Sequence, residues 1–353
     1  MAAHTEHVDI LTEAREAQWS ASSFSGPDCA RLVAPAKVNL FLGVGEKRTD
    51  GLHDVTNVMH ALALHDTLYV RRETIGEAEL AEAAQQIEDG DEAMALAGPG
   101  GTIVVNVAMA DKTGDPATIE AAAAPAIKNL VFKAVDTLAR QLDRTQPERF
   151  TVRIEKHIPA QAGLGGGSSD AAALLKALAR FWKADDAVIE QAAKAIGADV
   201  AFFLYGGCAL FDGAGENFVR SLAPMKTPLV LVKPVEGVST AEAYAAFDAN
   251  PAPIPAALLT QARQATEADQ VPLFNNLQAA AETLDTPVKD VREWLQDRSD
   301  TADGVLMSGS GAVVFAFASD FAHASDLAAE AQLHGWWARA TTCSSLMAAC
   351  LPS

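Results

Sequence analysis

Four cysteines are spread over 353 residues, Cys29, Cys208, Cys343 and Cys350, with no CxxC pair and no histidine companion. That scatter excludes a zinc knuckle and a disulfide framework, and reads as reduced thiols of a cytosolic chain. Basic residues are scarce: 27 Lys and Arg stand against 46 Asp and Glu, a formal net charge of −19. Nucleic acid and anionic membrane are therefore disfavoured as partners, because Lys and Arg are the chief holders of phosphate backbones. Long apolar runs are missing too. The most apolar stretches, 196–211 and 304–318, are short and broken by Gly, Ser or Asp, so neither spans a bilayer. The opening "MAAHTEHVDILTEAREAQW" lacks the apolar segment of a secretory leader, which predicts a cytoplasmic protein.

What remains is the composition of a globular protein, 49% hydrophobic, in a chain long enough for two domains. Residues 1–30 read as an N-terminal extension, 31–215 as a first domain and 216–353 as a second. "RLVAPAKVNLFLGVGEKRTDGLH" gives two short strand-like runs, with Asp50-Gly51 marking a turn. Residues 76–126 read as an acidic, Ala-rich insertion around one strand, "TIVVNVAM". Helices follow near 128–142 and 185–196, the latter stopped by Gly197. Beyond Pro224 come a strand, helices near 259–268 and 288–297, and "GVLMSGSGAVVFAFA", a strand–turn–strand. Strands and helices alternate in both halves, and several strands show two-residue polarity, so an α+β fold is favoured over a doubly wound sheet.

The densest signal is "IPAQAGLGGGSSDAAALLKALARFW", 158–182, with Gly163, Gly165, Gly166 and Gly167 ahead of an apolar-periodic helix. Glycine admits positive φ and has no Cβ to hold a ligand away. The helix start then offers unpaired N–H groups and the positive end of its dipole. An acidic chain can thus seat polyphosphate on backbone, with few lysines. Ala172, Leu175, Leu178, Ala179 and Trp182 share one helical face, and Ser168 or Ser169 is placed as N-cap. No Lys-Ser/Thr follows the glycines, so the loop is not a Walker A motif, and no ribose-binding acid marks a dinucleotide fold. A lone glycine pair would read as a tight strand-to-helix turn, but a run of this density at a helix start favours phosphate binding. Asp170 in the first turn would repel a phosphate, so it is assigned to helix stabilisation or distant metal support.

Four stretches resemble, in order and spacing, the motifs of the GHMP small-molecule kinase superfamily: "PAKVNLFLGVGEKRTDGLHDV", "IPAQAGLGGGSSDAA", "IGADVAFFLYGGCALFDGAGE" and "MSGSGAVVFA". The resemblance covers roughly residues 31–353. It implies an α+β, two-domain GHMP kinase fold, with a ribosomal-S5-like N-terminal domain, a ferredoxin-like C-terminal domain and substrates in the cleft between them. The implied cofactors are ATP and Mg²⁺, the metal held by phosphate, water and a loop serine without a carboxylate cage. The nucleotide loop maps onto Pro159, Ala160, Gln161, Ala162, Gly163, Leu164, Gly165, Gly166, Gly167, Ser168 and Ser169, with Asn129 near the adenine. The catalytic pair maps onto Lys37 and Asp199, and Asn39 and His53 fall on the substrate side, His53 reading a cytosine. The branch most resembled acts on a cytidine diphosphate derivative of methylerythritol, as a monomer or weak homodimer.

The chemistry suits these residue types. Phosphoryl transfer needs positioning, charge neutralisation and an acceptor for the hydroxyl proton. Asp199 would be that general base; Lys37 beside it would favour the charged carboxylate and orient the hydroxyl. Each residue alone reads as structural: Asp199 a turn cap, Lys37 a solvated strand residue, His53 a surface turn. The glycine turn Ser308 to Gly311 divides evenly between strand support and substrate contact. Two positions depart from the family pattern. Leu52 stands where the family has a tyrosine that stacks on cytosine, and Leu210 where a second aromatic falls, with Phe211 adjacent to replace it. Each lost platform would weaken base binding by about 1–3 kcal/mol. Other readings are a homoserine- or mevalonate-type kinase and a non-catalytic nucleotide-binding regulator.

Overall fold

The computed structural model describes residues 23–284, 287–298 and 304–351; most of the N-terminal extension lies outside them. The two strand-like runs at the start are the halves of one long hairpin. β1 (Cys29–Lys47) and β2 (His53–Thr74) pair antiparallel with three register shifts and turn at Asp50-Gly51, where Gly51 takes φ +86°. Position 29 is already strand, so the sheet begins inside the expected extension. Continuous burial from Leu32 to Leu42, broken only at Val33, hides the alternation that a one-sided strand would show. One stretch of the hairpin packs under helices through Leu32, Ala34 and Met59, the other against the C-terminal lobe through Val38, Leu40 and Val58.

The segment expected as an insertion is part of this sheet. It supplies α1 (Glu77–Glu88), β3 (Met94–Ala97), β4 (Ile103–Asp111) and α2 (Pro116–Ala122). α3 (Leu130–Gln141), β5 (Glu148–Lys156) and α4 (Gly166–Trp182) follow. β4 runs parallel to β5, burying Ile103 and Val105 beneath the helices and Val104 on the far face beside Ile75 and Ala83. α5 (Asp186–Ile196), α6 (Ala198–Tyr205), β6 (Cys208–Asp212) and β7 (Asn217–Leu222) complete the lobe. Its path is β13 (Ala349–Leu351)-β1-β2-β5-β4-β3, with β6 and β7 extending from β2.

The second sheet holds β8 (Pro228–Lys233), β10 (Val305–Met307), β11 (Val314–Phe317) and β12 (Trp337–Thr342). Between β8 and β10 run α7 (Thr240–Ala249), α8 (Ala256–Gln264), β9 (Phe274–Asn275), α9 (Leu277–Ala281) and α10 (Val288–Gln296). α11 (Phe321–Leu333) joins β11 to β12. The spatial order β10-β11-β8-β12, antiparallel throughout, is the split βαββαβ arrangement expected of a ferredoxin-like domain. The lobes interleave. The expected boundary at 215/216 falls within the β6–β7 hairpin, β9 pairs with β1, and β13 (Ala349–Leu351) returns to Arg31–Val33. No described helix is long and apolar enough to cross a membrane.

Candidate active site

The glycine run leaves β5 and enters α4, as its composition demands. Gly163 and Gly165 both take φ +71°, and Gly165, not a serine, is the N-cap. The first helical N–H to find a carbonyl is that of Ser169, bonded to Gly165 at 2.9 Å. The amides of Gly166, Gly167 and Ser168 precede it, as the first N–H groups of a helix must. Gly163 is required by close approach: a Cβ there would stand 2.0 Å from the Ser308 carbonyl oxygen. The two glycine turns, one from each lobe, therefore interlock. Ser308 donates to the Gly163 carbonyl at 2.9 Å, and the amides of Ala312 and Val313 donate to Gln161 and Ala162.

A cleft of about 620 Å³ opens beside this crossing. Gln161, Gly163, Gly165 and Ser168 line it from the glycine loop, Gly309, Ser310 and Gly311 from the second lobe, and Lys37, Asn39 and Asp199 line it as well. Lys37 comes from β1, only 2% exposed, and its ammonium donates to Asn39 Oδ1 at 2.6 Å. Its Nζ lies 3.5 Å from Asp199 Oδ2. Asp199 sits in the first turn of α6, just after Gly197, with its side chain about one-third exposed. Asn39 in turn donates to Asn57 Oδ1 at 2.8 Å, so its amide is oriented from both ends. A buried cation, an accessible carboxylate and the loop residues Gly163, Gly165 and Ser168 thus line one space.

Not every expected residue reaches that space. Ala162 and Leu164 point into the core, Pro159 is buried, and Ala160, Gly166 and Gly167 do not line the cleft. Ser169 is fully buried with its hydroxyl unpartnered, so of the two serines only Ser168 faces the cleft. Asn129 caps α3, accepting from the Val131 amide at 3.0 Å, while its neighbour Leu130 packs near Gly167. His53 also stands outside the cleft lining. Its Nδ1 meets the Gly45 carbonyl at 2.9 Å and its Nε2 meets Asp248 Oδ1 at 3.0 Å, so both ring nitrogens have partners. Phe211 cannot stand in for the missing aromatic at 210. It is fully buried, edge-on to Phe202 and Phe218 in the helical core.

Asp170 turns away from the cleft. With Asp66 it flanks the Lys156 ammonium, all three side chains being buried directly behind the loop. Burial, reinforced by the Asp66 charge, pushes the Asp170 carboxyl up to about 7. Asp66 also accepts from the backbone amides of His157 and Ile158, fixing the strand end that launches the loop. A second brace comes from the supposed insertion: Thr118 in α2 accepts from the Ala160 amide at 2.8 Å.

Sequence reading missed several residues. Asn275 donates to the carbonyls of Met307 and Gly309, holding the second glycine turn, and Asn276 ties α9 to Val44. Their one signal was an Asn-Asn pair in the apolar run "LFNNLQ". Asn57, Thr240 and Tyr244 line the cleft with no local motif to announce them.

Comparison with known proteins agrees with this geometry. The model of the GHMP kinases N terminal domain matches residues 129–207, and that of the GHMP kinases C terminal domain matches 256–335. A 4-diphosphocytidyl-2-C-methyl-D-erythritol kinase of Pelotomaculum thermopropionicum is 34% identical over 304 residues, 84% of this chain and 92% of the relative. One from Azorhizobium caulinodans is 32% identical over 88% of this chain and 98% of the relative. A crystal structure of 4-(cytidine 5'-diphospho)-2C-methyl-D-erythritol kinase superposes with TM-score 0.61 at 28% identity, covering 89% of this chain and 99% of that one. A homoserine kinase from Cytophaga hutchinsonii superposes with TM-score 0.63 at 16% identity, a likeness of fold alone.

Proposed function

The chain belongs to the 4-diphosphocytidyl-2-C-methyl-D-erythritol kinases within the GHMP family, and from that premise we propose how its own residues carry out the reaction. The γ-phosphoryl group of ATP passes to the 2-hydroxyl of 4-diphosphocytidyl-2-C-methyl-D-erythritol, a step of non-mevalonate isoprenoid synthesis. Asp199 accepts the proton of the attacking hydroxyl. Lys37, fixed by Asn39, orients that hydroxyl and offsets the charge gathering on the transferred group. The loop from Gly163 to Ser168 holds the phosphates through backbone amides and the N-terminal end of α4. Asn39 is the substrate-side polar contact lining the cleft.

One observation carries the reading: the Lys37–Asp199 pair, 3.5 Å apart, opens on the same cleft as the phosphate-loop amides. Among the described residues no cluster of three or more His, Cys, Asp or Glu forms a metal cage. Ser168 is a hard oxygen donor among the residues lining the cleft, which fits a Mg²⁺ brought in on the nucleotide and held otherwise by phosphate and water. Bound there, the ion would neutralise charge on the β- and γ-phosphates.

The deciding experiment offers ATP with the cytidine diphosphate alcohol, with homoserine and with mevalonate, and follows ADP release and the phosphorylated product. Transfer to the cytidine compound alone is expected. A comparable kcat/KM for either small alcohol would replace this assignment.

A further inference from the structure

We propose that Tyr244, carried by α7 of the C-terminal lobe, is the platform on which the pyrimidine of the substrate stacks. The inference rests on the substrate assignment above and concerns the residue that selects the base. Tyr244 is the one aromatic side chain among the residues lining the 620 Å³ cleft. The hairpin tip offers nothing comparable. Leu52 is 54% exposed and aliphatic, Leu210 is buried, and Phe211 is committed to the helical core. A flat base entering this cleft therefore has a single ring to stack upon.

The ring is also pre-oriented. His53 packs on it with centroids 5.5 Å apart and the planes tilted by 46°. His53 is itself held between the Gly45 carbonyl and Asp248, and its edge contact with Phe247 lies one turn along the same helix. Asp248 is anchored by Lys47 across the hairpin. The histidine thus acts as the backing of the platform, with both of its nitrogens engaged by Gly45 and Asp248. Small residues, Val55, Ala214 and Gly215, line the cleft as well, leaving width for a planar ring. Burial and the nearby Asp199 charge push the Tyr244 phenol up to about 12, so it stays neutral and can hydrogen-bond at physiological pH. Stacking on an aromatic face stabilises a bound base in a way that aliphatic walls do not reproduce.

The test compares Tyr244→Leu, which keeps apolar volume and helix propensity, with Tyr244→Ala and Tyr244→Phe. For each folded variant, KM for the cytidine diphosphate alcohol and for ATP are measured, together with calorimetric binding of CDP. The expected result is a rise of about 5- to 150-fold in KM for the cytidine compound and in the CDP Kd for the Leu and Ala variants. KM for ATP stays put, and Tyr244→Phe restores binding. Equal CDP binding by the wild type and Tyr244→Leu overturns the platform, as does an equal loss of ATP and CDP binding. Should Tyr244→Ala fail to fold, the Leu variant decides alone. A wild type that binds CDP through Tyr244 yet phosphorylates no cytidine compound would refute the reaction and leave the platform standing.

Discussion

At Gly163 a single hydrogen atom in place of a side chain lets the two lobes meet. The backbone there is left-handed, at φ +71°, and any Cβ would collide with the Ser308 carbonyl. Gly163→Ala is expected to cost at least about 2 kcal/mol, from strain and from forcing the turns apart. Urea unfolding measures the stability loss and nucleotide titration the accompanying loss of ATP binding. Asp199 makes the opposite kind of demand. It is partly exposed, so its replacement leaves the core intact, but its carboxylate is the proton acceptor in the proposed reaction. Asp199→Asn should lower kcat by about 10²- to 10⁴-fold with ATP affinity nearly unchanged. Rapid-quench kinetics alongside equilibrium ATP binding separates the two effects, and near-normal turnover would remove Asp199 from the mechanism.

At the scale of elements, the phosphate loop depends on what lies behind it. β5, β2 and the second turn of α4 converge on Lys156, which sits between Asp66 and Asp170. Asp170 was expected to stabilise its helix or to support a distant metal; the structure places its carboxyl against Lys156 in this cluster. Its carboxyl is raised from the ordinary 3.8 to about 7, burial being the largest cause. The folded chain therefore holds this proton more tightly than the unfolded one, and the contribution is full below about pH 4 and lost as pH rises through about 7. Asp170→Asn should remove that slope. Urea midpoints of wild type and variant, compared between pH 4 and 7, should show the wild type losing its relative advantage as pH increases. Parallel curves would show that Asp170 does not titrate in this window.

At the scale of the whole molecule, the segment 76–126 joins the lobes. Asp115 caps α2 by accepting from Thr118 and pairs with Lys233 at 2.7 Å, both charges being buried at the end of β8. Asp115→Ala would leave Lys233 a buried cation without a counterion, a loss of about 3–5 kcal/mol. Thermal unfolding measures that loss. Because α2 also holds the Ala160 amide through Thr118, ATP binding should weaken in the same variant. The net charge of −19 is compatible with a polyphosphate ligand because the cleft presents Lys37 and backbone dipoles rather than the average surface.

The sequence by itself determined the glycine loop and its helix, the candidate positions Lys37 and Asp199, and the α+β class. Each of these rests on local chemistry: glycine's freedom at φ, helical spacing, or a motif of a few residues. It also carried the four motif stretches whose order and spacing suggested the family. Contacts between residues far apart in the chain were decided by the tertiary structure alone. The Ala- and Glu-rich 76–126 segment read as an acidic insertion around one strand, yet it adds two strands to the sheet and its Asp115 pairs with Lys233 of the other lobe. Asn275, Tyr244 and the partners of His53 were invisible for the same reason. Their roles exist only where strands and helices distant in sequence come within a few ångströms of one another.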